Sequence, residues 1–541
     1  MRDLFLGLDC STQSLTALLL DFNSGDIIYR TNVNFDNDLP HYKTQNGVIN
    51  IDDHNVIHSY PLMWVDALEL VFERMKNDKV SIFEIKAISG SGQQHGSVYL
   101  NDKFEEALTK VNLKKSLASQ LTCTLSRHTS PIWMDSSTTK QCDEIRYQLG
   151  GLKPAIEILG SNIIERFSGP QIRKFYQENI EKYNNTSTIH LVSSFMASIL
   201  LGQNAPIDHG DGAGMNLMNI KTKRWDNLAL EATAPNLIGK LPPLVKPSTI
   251  IGKISPYLVK KFGFAQSTYL IVWSGDNPNS LIGLGLVKKG KVAVSLGTSD
   301  TYFAYLKNLY LDYKGEGHVF GAPTGDYMSL ICYKNGSLAR ERIKNKFNLN
   351  WEDFSKILKN TQPGNYGKIM LPYFFPEIVP HVLKPQVYRF GFDHNDIEGN
   401  IRAIIEAQFL SMRLHSEWIE EKPEEIYATG GGSSNTEILQ ILANIFNTNV
   451  RVFEITDSAA LGAAFKAINS YYISKNNMIT WDEIINKFID FQKTRLIKPD
   501  NTYKELYDDM VELYHKYEEF ILKNKENPES SRQEFIIKYF P

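Results

Sequence analysis

One arrangement of residues occurs twice in this chain and frames everything else. Near the start, Leu4–Leu8 is apolar, Asp9–Ser14 is a polar turn, and Leu15–Asp21 is apolar again. Past mid-chain, Lys291–Leu296 reads as a strand, Gly297–Asp300 as a polar turn, and Thr301–Leu306 as a returning strand. Short apolar runs bounded by turn residues read as paired strands. Two such hairpins point to a duplicated α/β unit, a repeat of pattern rather than of residue identity. The length, 541 residues, is itself too great for one compact core. The natural boundary lies near residues 275–290, which predicts units at 1–283 and 284–541.

The segments between the hairpins fit this reading. Asn23–Asp26 turns into a strand at Ile27–Tyr29. Apolar positions at helical spacing predict a helix over Val56–Met75, with Pro61 near its start. A strand at Ile85–Ile88 runs into SGSGQQHG, and helices are expected at Ser137–Leu149, Gln171–Lys182 and Ser187–Leu201. In the second half, Tyr269–Trp273 is a strand ending in SGDNPNS. Glu425–Ala428 is a strand broken by Gly430–Gly432, with a helix from about Thr436 to Phe446. Arg451–Ile455 and a helix at Ala459–Ala467 close the unit. Lys523–Arg532 is polar and charged, so the last 15 or so residues are expected to be poorly ordered.

Composition removes several classes. The formal charge is −3, which gives no support for a general nucleic-acid binder. No run approaches the roughly 18–20 apolar residues of a membrane span. Asp3 and Asp9 sit where a signal peptide would be apolar. Cys10, Cys123, Cys142 and Cys332 are scattered, with no C-x-x-C and no zinc spacing. A cytoplasmic enzyme, monomeric or homodimeric, is the expectation. It is not a P-loop enzyme, because G-x-x-x-x-G-K-[ST] is absent. G-x-G-x-x-G after the first strand, H-E-x-x-H and G-x-S-x-G are absent too.

The turns carry the chemistry. Ser11 and Thr12 in the first turn could cradle phosphate oxygens, since exposed turn amides and hydroxyls form anion-binding concavities. Asp9 could hold Mg²⁺ through water; the plain alternative is a hairpin turn with a capping aspartate. Gly297, Thr298 and Ser299 repeat the pattern, and the two turns together suggest a grip on one triphosphate from opposite sides. Gly431 and Gly432 let backbone lie against a planar base or ribose. Asn435 could hydrogen-bond a ligand edge, or simply cap a helix. Asp276-Asn277 follows a strand through Ser274-Gly275, where an open α/β sheet places ligands. Asp276 could act as a general base or sit in an Asx-turn. Gln93-Gln94-His95 offers neutral amides and an imidazole, suited to hydroxyl groups. Arg166 could hydrogen-bond substrate oxygens or join a surface ion pair. Trp133 and Trp351 could stack on ligand rings, Trp351 on the adenine side, or belong to the core.

Taken in order, GLDCSTQS, SGQQHGS, WMD, SGDN, SLGTSD and ATGGGSSN resemble the motifs of the FGGY carbohydrate kinases. DLP…TQNGV, GQQHGSVY, WMDSSTT, GDNPNS and CYKNGSLARE are similar to the eukaryotic-type xylulose kinases within that family. The resemblance covers about residues 4–470. It implies the actin-like ATPase fold, an α/β architecture of two RNase H-like domains around a central cleft. It implies a mainly sugar-binding first domain, a mainly ATP-binding second domain, and ATP with Mg²⁺. By resemblance Asp276 is the general base, and His95, Arg166 and Asn277 contact the sugar. Gly431, Gly432 and Asn435 fall on the adenosine motif, and Asp9 matches the metal- and phosphate-associated acid. The implied reaction is phosphorylation of D-xylulose at its 5-hydroxyl. Another ketose or polyol (ribulose, glycerol, gluconate) or a non-catalytic sugar sensor of the same fold are the alternatives. Three departures stand out. No arginine follows Trp133-Met134-Asp135-Ser136-Ser137, Lys174-Phe175-Tyr176 ends a helix usually closed by tryptophan, and Met215 stands where threonine is frequent.

Overall fold

The computed structural model describes residues 2–452 and 457–541. The first half builds a sheet from β1 (Leu4–Cys10), β2 (Ser14–Asp21), β3 (Asp26–Asn34), β4 (Ile85–Gly92), β5 (Ile250–Lys253), β6 (Tyr269–Ile271) and β7 (Ser274–Gly275). Their order is β3-β2-β1-β4-β6-β5, and β7 also pairs with β4. The second half builds β8 (Lys291–Leu296), β9 (Asp300–Leu306), β10 (His318–Gly321), β11 (Tyr327–Tyr333), β12 (Glu425–Thr429), β13 (Asn449–Val452) and β14 (Arg495–Ile497). Their order is β10-β11-β9-β8-β12-β13-β14.

Leaving out the edge strand β10, the two orders are the same. Each starts with three antiparallel strands, continues with two parallel ones, and ends on an antiparallel edge. The repeated hairpin is therefore the visible part of a repeated topology. Strand burial follows from it. Every residue of β1 is buried, as befits an interior strand with both faces covered. Phe5, Leu18 and Leu20 face a core that continues into the second sheet. Leu4, Leu6, Leu8, Ala17 and Leu19 face a separate core in the first half, which is the two-residue alternation of a strand.

Two helices join the halves. The exit helix, Asp276–Gly283, leaves the first sheet. The return helix, Ser458–Ser474, belongs to the second half by sequence but packs on β1 and β4 of the first. The two helices cross at glycines. A Cβ on Gly462 would lie 1.8 Å from the Asn279 carbonyl oxygen, and one on Gly283 would lie 1.9 Å from that of Ser458. Only hydrogen fits at either position.

Several elements differ from expectation. The first long helix is Pro61–Asn77, because Pro61 takes the first helical position. β4 runs on through the small residues to Gly92. The expected helix Gln171–Lys182 is two, Ser168–Glu178 and Ile180–Asn184, broken at Asn179. Within the expected helix Ser187–Leu201, Thr188–Leu191 is a strand and only Val192–Leu201 is helical. The expected strand Arg451–Ile455 is seen as Asn449–Val452, and its residues 453–455 lie outside the described residues. The C-terminal segment expected to be poorly ordered forms a helix, Glu529–Tyr539. Phe535 is buried there, the Phe540 ring meets Tyr366, and Arg532 pairs with Glu529.

Candidate active site

In the first sheet β1, β4 and β7 run parallel, with Cys10 beside Gly92 and Gly92 beside Gly275. Their carboxyl ends therefore deliver two loops and a helix start to one place: Asp9–Ser14, Gln93–Gly96, and Asp276-Asn277 at the head of the exit helix. Open α/β sheets bind ligands at such an edge. In the second sheet β8 and β12 are parallel neighbours, with Ser295 beside Thr429. The Gly297–Asp300 turn and the Gly430–Gly432 segment thus leave from a shared edge too.

Asp276 does not lie in a turn. It is the first residue of the exit helix, with Gly275 as N-cap. Its Oδ1 accepts from the Asn277 N–H at 2.9 Å, the Gln94 N–H at 3.3 Å and the Asn277 side-chain amide at 3.2 Å. No hydrogen bond among the described residues falls on Oδ2. Burial outweighs these backbone donors and pushes the carboxyl up to about 6. One oxygen is thus fixed and the other is free to take a proton. Asn277 is oriented in turn by Gln94, whose Oε1 accepts from Nδ2 at 2.9 Å.

Asp9 is the last residue but one of β1 and is 7% exposed. The Ser11 hydroxyl donates to its Oδ2, while Oδ1 is buried with no partner. Burial, together with the negative charges of Asp276 and Asp457, pushes the carboxyl up to about 7. Thr12 is tied into the wall of the first half. It accepts from the Trp133 indole N–H at 2.9 Å and donates to Gln93 Oε1 at 3.2 Å. Trp133 is 43% exposed, so it borders the loops rather than the core.

His95 is buried and stacks on Phe167 with 4.1 Å between ring centres. Its Nδ1 lies 2.7 Å from the Gly214 carbonyl oxygen. That carbonyl can only accept, so Nδ1 carries the hydrogen and Nε2 is an acceptor. Burial and the nearby Arg166 push the imidazole down to about 3, so it stays neutral. Arg166 is half-buried and forms no ion pair among the described residues. Its Nη2 approaches Nε2 of His318, on β10 of the second sheet, at 3.5 Å.

In the second half, Thr298 and Ser299 are exposed, and the turn that carries them is braced from below. Arg340 grips Asp300 with both arms, Nη1 to Oδ2 at 2.7 Å and Nη2 to Oδ1 at 2.9 Å. Gly430 takes a left-handed φ of 81°, and a Cβ on Gly431 would meet nothing within 4 Å, so that backbone is open. Asn435 does cap the helix Thr436–Phe446, accepting from Glu437 and Ile438. Its amide also donates to Ser355 at 2.7 Å. Ser355 lies on the helix Trp351–Asn360, which opens with Trp351 at 42% exposure. Trp351, Gly431, Gly432 and Asn435 therefore share one corner.

The structure gathers the expected residues into two groups. Asp9, Ser11, Thr12, His95, Asp276 and Asn277 lie at the carboxyl edge of the first sheet, and Arg166 sits in the same half between the helices Leu152–Leu159 and Ser168–Glu178. Gly297, Thr298, Ser299, Trp351, Gly431, Gly432 and Asn435 belong to the second half. Arg340 and Ser355 were not anticipated, because nothing local marks a residue that braces another loop. Gln93 and Gln94 each bury a side-chain amide nitrogen without a partner. The run of two glutamines beside a histidine was the available signal.

The chain's two halves match the N-terminal domain of the FGGY family of carbohydrate kinases over residues 127–283 and its C-terminal domain over residues 292–471. It belongs to this family. Among relatives, it is 44% identical to xylulose kinase 2 of Arabidopsis thaliana, over 87% of this chain and 88% of that one. It is 38% identical to the xylulose kinase of Rattus norvegicus, over 97% and 98%. A crystal structure of a xylulose kinase from Brucella ovis matches with a TM-score of 0.80 at 20% identity, over 96% of this chain and 100% of that one. The glycerol kinase of Plasmodium falciparum with ADP matches with a TM-score of 0.76 at 16% identity, over 96% and 98%. The fold is thus the actin-like fold of the FGGY kinases. The chain is a phosphotransferase with an alcohol group as acceptor, and its small-molecule partners are a sugar and ATP. No described helix is long and apolar enough to cross a membrane.

Proposed function

We propose that this FGGY kinase transfers the γ-phosphoryl group of ATP to the 5-hydroxyl of D-xylulose, giving D-xylulose 5-phosphate. The observation that carries the chemistry is the half-occupied carboxylate of Asp276, fixed through Oδ1 and open at Oδ2. The choice of sugar rests on the names of the two relatives, each matched over most of its length. The sugar is bound by the first unit, residues 1–283, through His95, Arg166, Asp276 and Asn277. His95 Nε2 accepts from one hydroxyl, and Arg166 donates to sugar oxygens. The unpartnered amides of Gln93 and Gln94 supply further donors. ATP is bound by the second unit, residues 284–541. Trp351, Gly431, Gly432 and Asn435 form the adenosine corner, and Gly297, Thr298 and Ser299 the phosphate turn. Ser11 and Thr12 close from the other side.

Asp276 Oδ2 takes the proton as the sugar oxygen attacks phosphorus. Phosphoryl transfer asks little covalent chemistry of a protein, so positioning and charge neutralisation dominate. The buried, unpartnered Oδ1 of Asp9 fits Mg²⁺, an ion held by one or two carboxylates together with substrate phosphate. Mg²⁺ at Asp9 would neutralise phosphate charge. Closure of the two units about the glycine crossing would exclude water, which competes for the phosphoryl group.

The test is ADP release with D-xylulose, D-ribulose, L-ribulose, glycerol and gluconate. The highest kcat/KM is expected for D-xylulose. A different winner moves the sugar assignment and keeps the mechanism. No turnover on any of them, with sugar binding retained, overturns the kinase reading.

A further inference from the structure

Beneath the Asp276 loop lies an ion pair that the reaction does not use. Lys466, on the return helix, places Nζ 2.9 Å from Oδ2 of Asp208, and their side chains are 1% and 0% exposed. Asp208 is the N-cap of the short helix His209–Ala213. Its other oxygen, Oδ1, accepts from the Ser274 hydroxyl at 3.0 Å and from the Asp211 N–H at 2.9 Å. Ser274 is the first residue of β7, and two residues later the chain reaches Asp276.

The other acid beside the pair, Asp211, is held well above the usual carboxylate range by burial, with Asp208 and Asp276 adding to the effect. A fully buried ion pair pays desolvation on both partners, and apolar replacements are commonly as stable. What such a pair supplies beyond a Leu or Met contact is direction. Here it ties three elements at fixed angles: the return helix, the helix His209–Ala213 and the end of β7. Ser274 and Gly275 also register against Ser91 and Gly92, immediately before Gln93, Gln94 and His95. A shift of Ser274 would therefore move Asp276 relative to the sugar-contacting residues.

We propose that Lys466 and Asp208 are positioning residues for the general base, acting through the Ser274 hydroxyl to hold Asp276 Oδ2 in line with the attacking oxygen. The proposal rests on Asp276 being that base, but not on which sugar is phosphorylated. Misplacement of a reacting group by a fraction of an ångström lowers kcat without changing the affinity of a distant site.

The test uses Ser274→Ala, which removes the link and keeps the ion pair, and the neutral double variant Asp208→Asn/Lys466→Met. Each is assayed with whichever sugar the wild type turns over best. For Ser274→Ala, kcat is expected to fall about 3- to 10-fold, and for the double variant about 10- to 100-fold, with KM for ATP within about twofold of wild type. The deciding readout is the same pair of changes made in an Asp276→Asn background. With no base left to misplace, they should leave the residual kcat within about twofold. Wild-type kcat in Ser274→Ala would overturn the proposal, even if the double variant fails to fold. So would losses that carry over undiminished into the Asp276→Asn background, since those would mark a structural role only. Wild-type kcat in Asp276→Asn alone would instead remove the base assignment on which both readings stand.

Discussion

Asp276 and Asp9 are both aspartates at strand ends in a shared cleft, and burial treats them alike but for opposite uses. A base must be ionised to accept a proton. With Asp276 near 6, kcat/KM is expected to fall as pH drops from 7 to 5. Asp276→Asn should lower kcat by about 10²- to 10⁴-fold and abolish that acid limb while sugar binding, followed by calorimetry, persists. For Asp9 the consequence is on stability. Its carboxyl is raised from 3.8 to about 7 in the fold, so the folded state binds a proton more tightly than the unfolded chain. That contribution is complete below pH 3.8 and is lost as pH rises through 7. Asp9→Asn should therefore melt higher than wild type at pH 8, by on the order of 1–3 kcal/mol of stability, and gain nothing at pH 3.5. Its turnover should drop. An unchanged melting temperature at pH 8 would contradict the buried, unpartnered Oδ1.

Among the elements, the close approach of the exit and return helices makes the sharpest prediction. Gly462→Ala puts a methyl 1.8 Å from a carbonyl oxygen. The helices must separate, so a stability loss of about 3 kcal/mol or more is expected in thermal or urea unfolding. Arg340→Met strands the buried Asp300 carboxylate beneath the phosphate turn. It should cost about 3–5 kcal/mol and raise KM for ATP more than KM for sugar. Which elements could be read in advance follows from where their signals lie. β8 and the helix Thr436–Phe446 were legible to the residue, because apolar periodicity and a capping asparagine bound them. The strand Thr188–Leu191 was not. Its four residues run straight into a helix with no turn residue between, and only pairing with Ser97–Leu100 makes it a strand. An Asx-turn stood as the alternative for Asp276 because glycine precedes it. The same glycine is an N-cap, and the helix beyond is held by a glycine contact with a segment far away in sequence. The terminal helix Glu529–Tyr539 was missed because its charges conceal Phe535, whose partners lie elsewhere in the chain. Likewise the turns and the six motifs pointed to the candidate site residues, whereas the braces Arg340 and Ser355 belong to tertiary contacts.

For the molecule as a whole, the repeated topology gives two sheets whose loop-bearing edges each carry half of the proposed site. The couplings across the division include the Lys466–Asp208 and Arg30–Asp457 ion pairs, Arg166 toward His318, the negative charge of Asp457 acting on Asp9, and the helix crossing on which one unit would pivot. Closure should accordingly be a rotation of one unit on the other. Small-angle scattering is expected to show a smaller radius of gyration with sugar and a non-hydrolysable ATP analogue than without ligands. An unchanged profile would mean that the cleft is already closed.

The return helix has a further consequence, for the order in which the protein can be made. Synthesis reaches the first sheet long before the return helix, yet β1 and β4 are covered by residues 458–474. The sheet completed by residue 275 must wait with Phe5, Leu18 and Ala87 uncovered until most of the second half has emerged. Bare apolar surface over that interval favours aggregation of the nascent chain. A gene cut at the apparent boundary would yield a first half with its apolar face bare, and the missing helix would have to come from the other fragment.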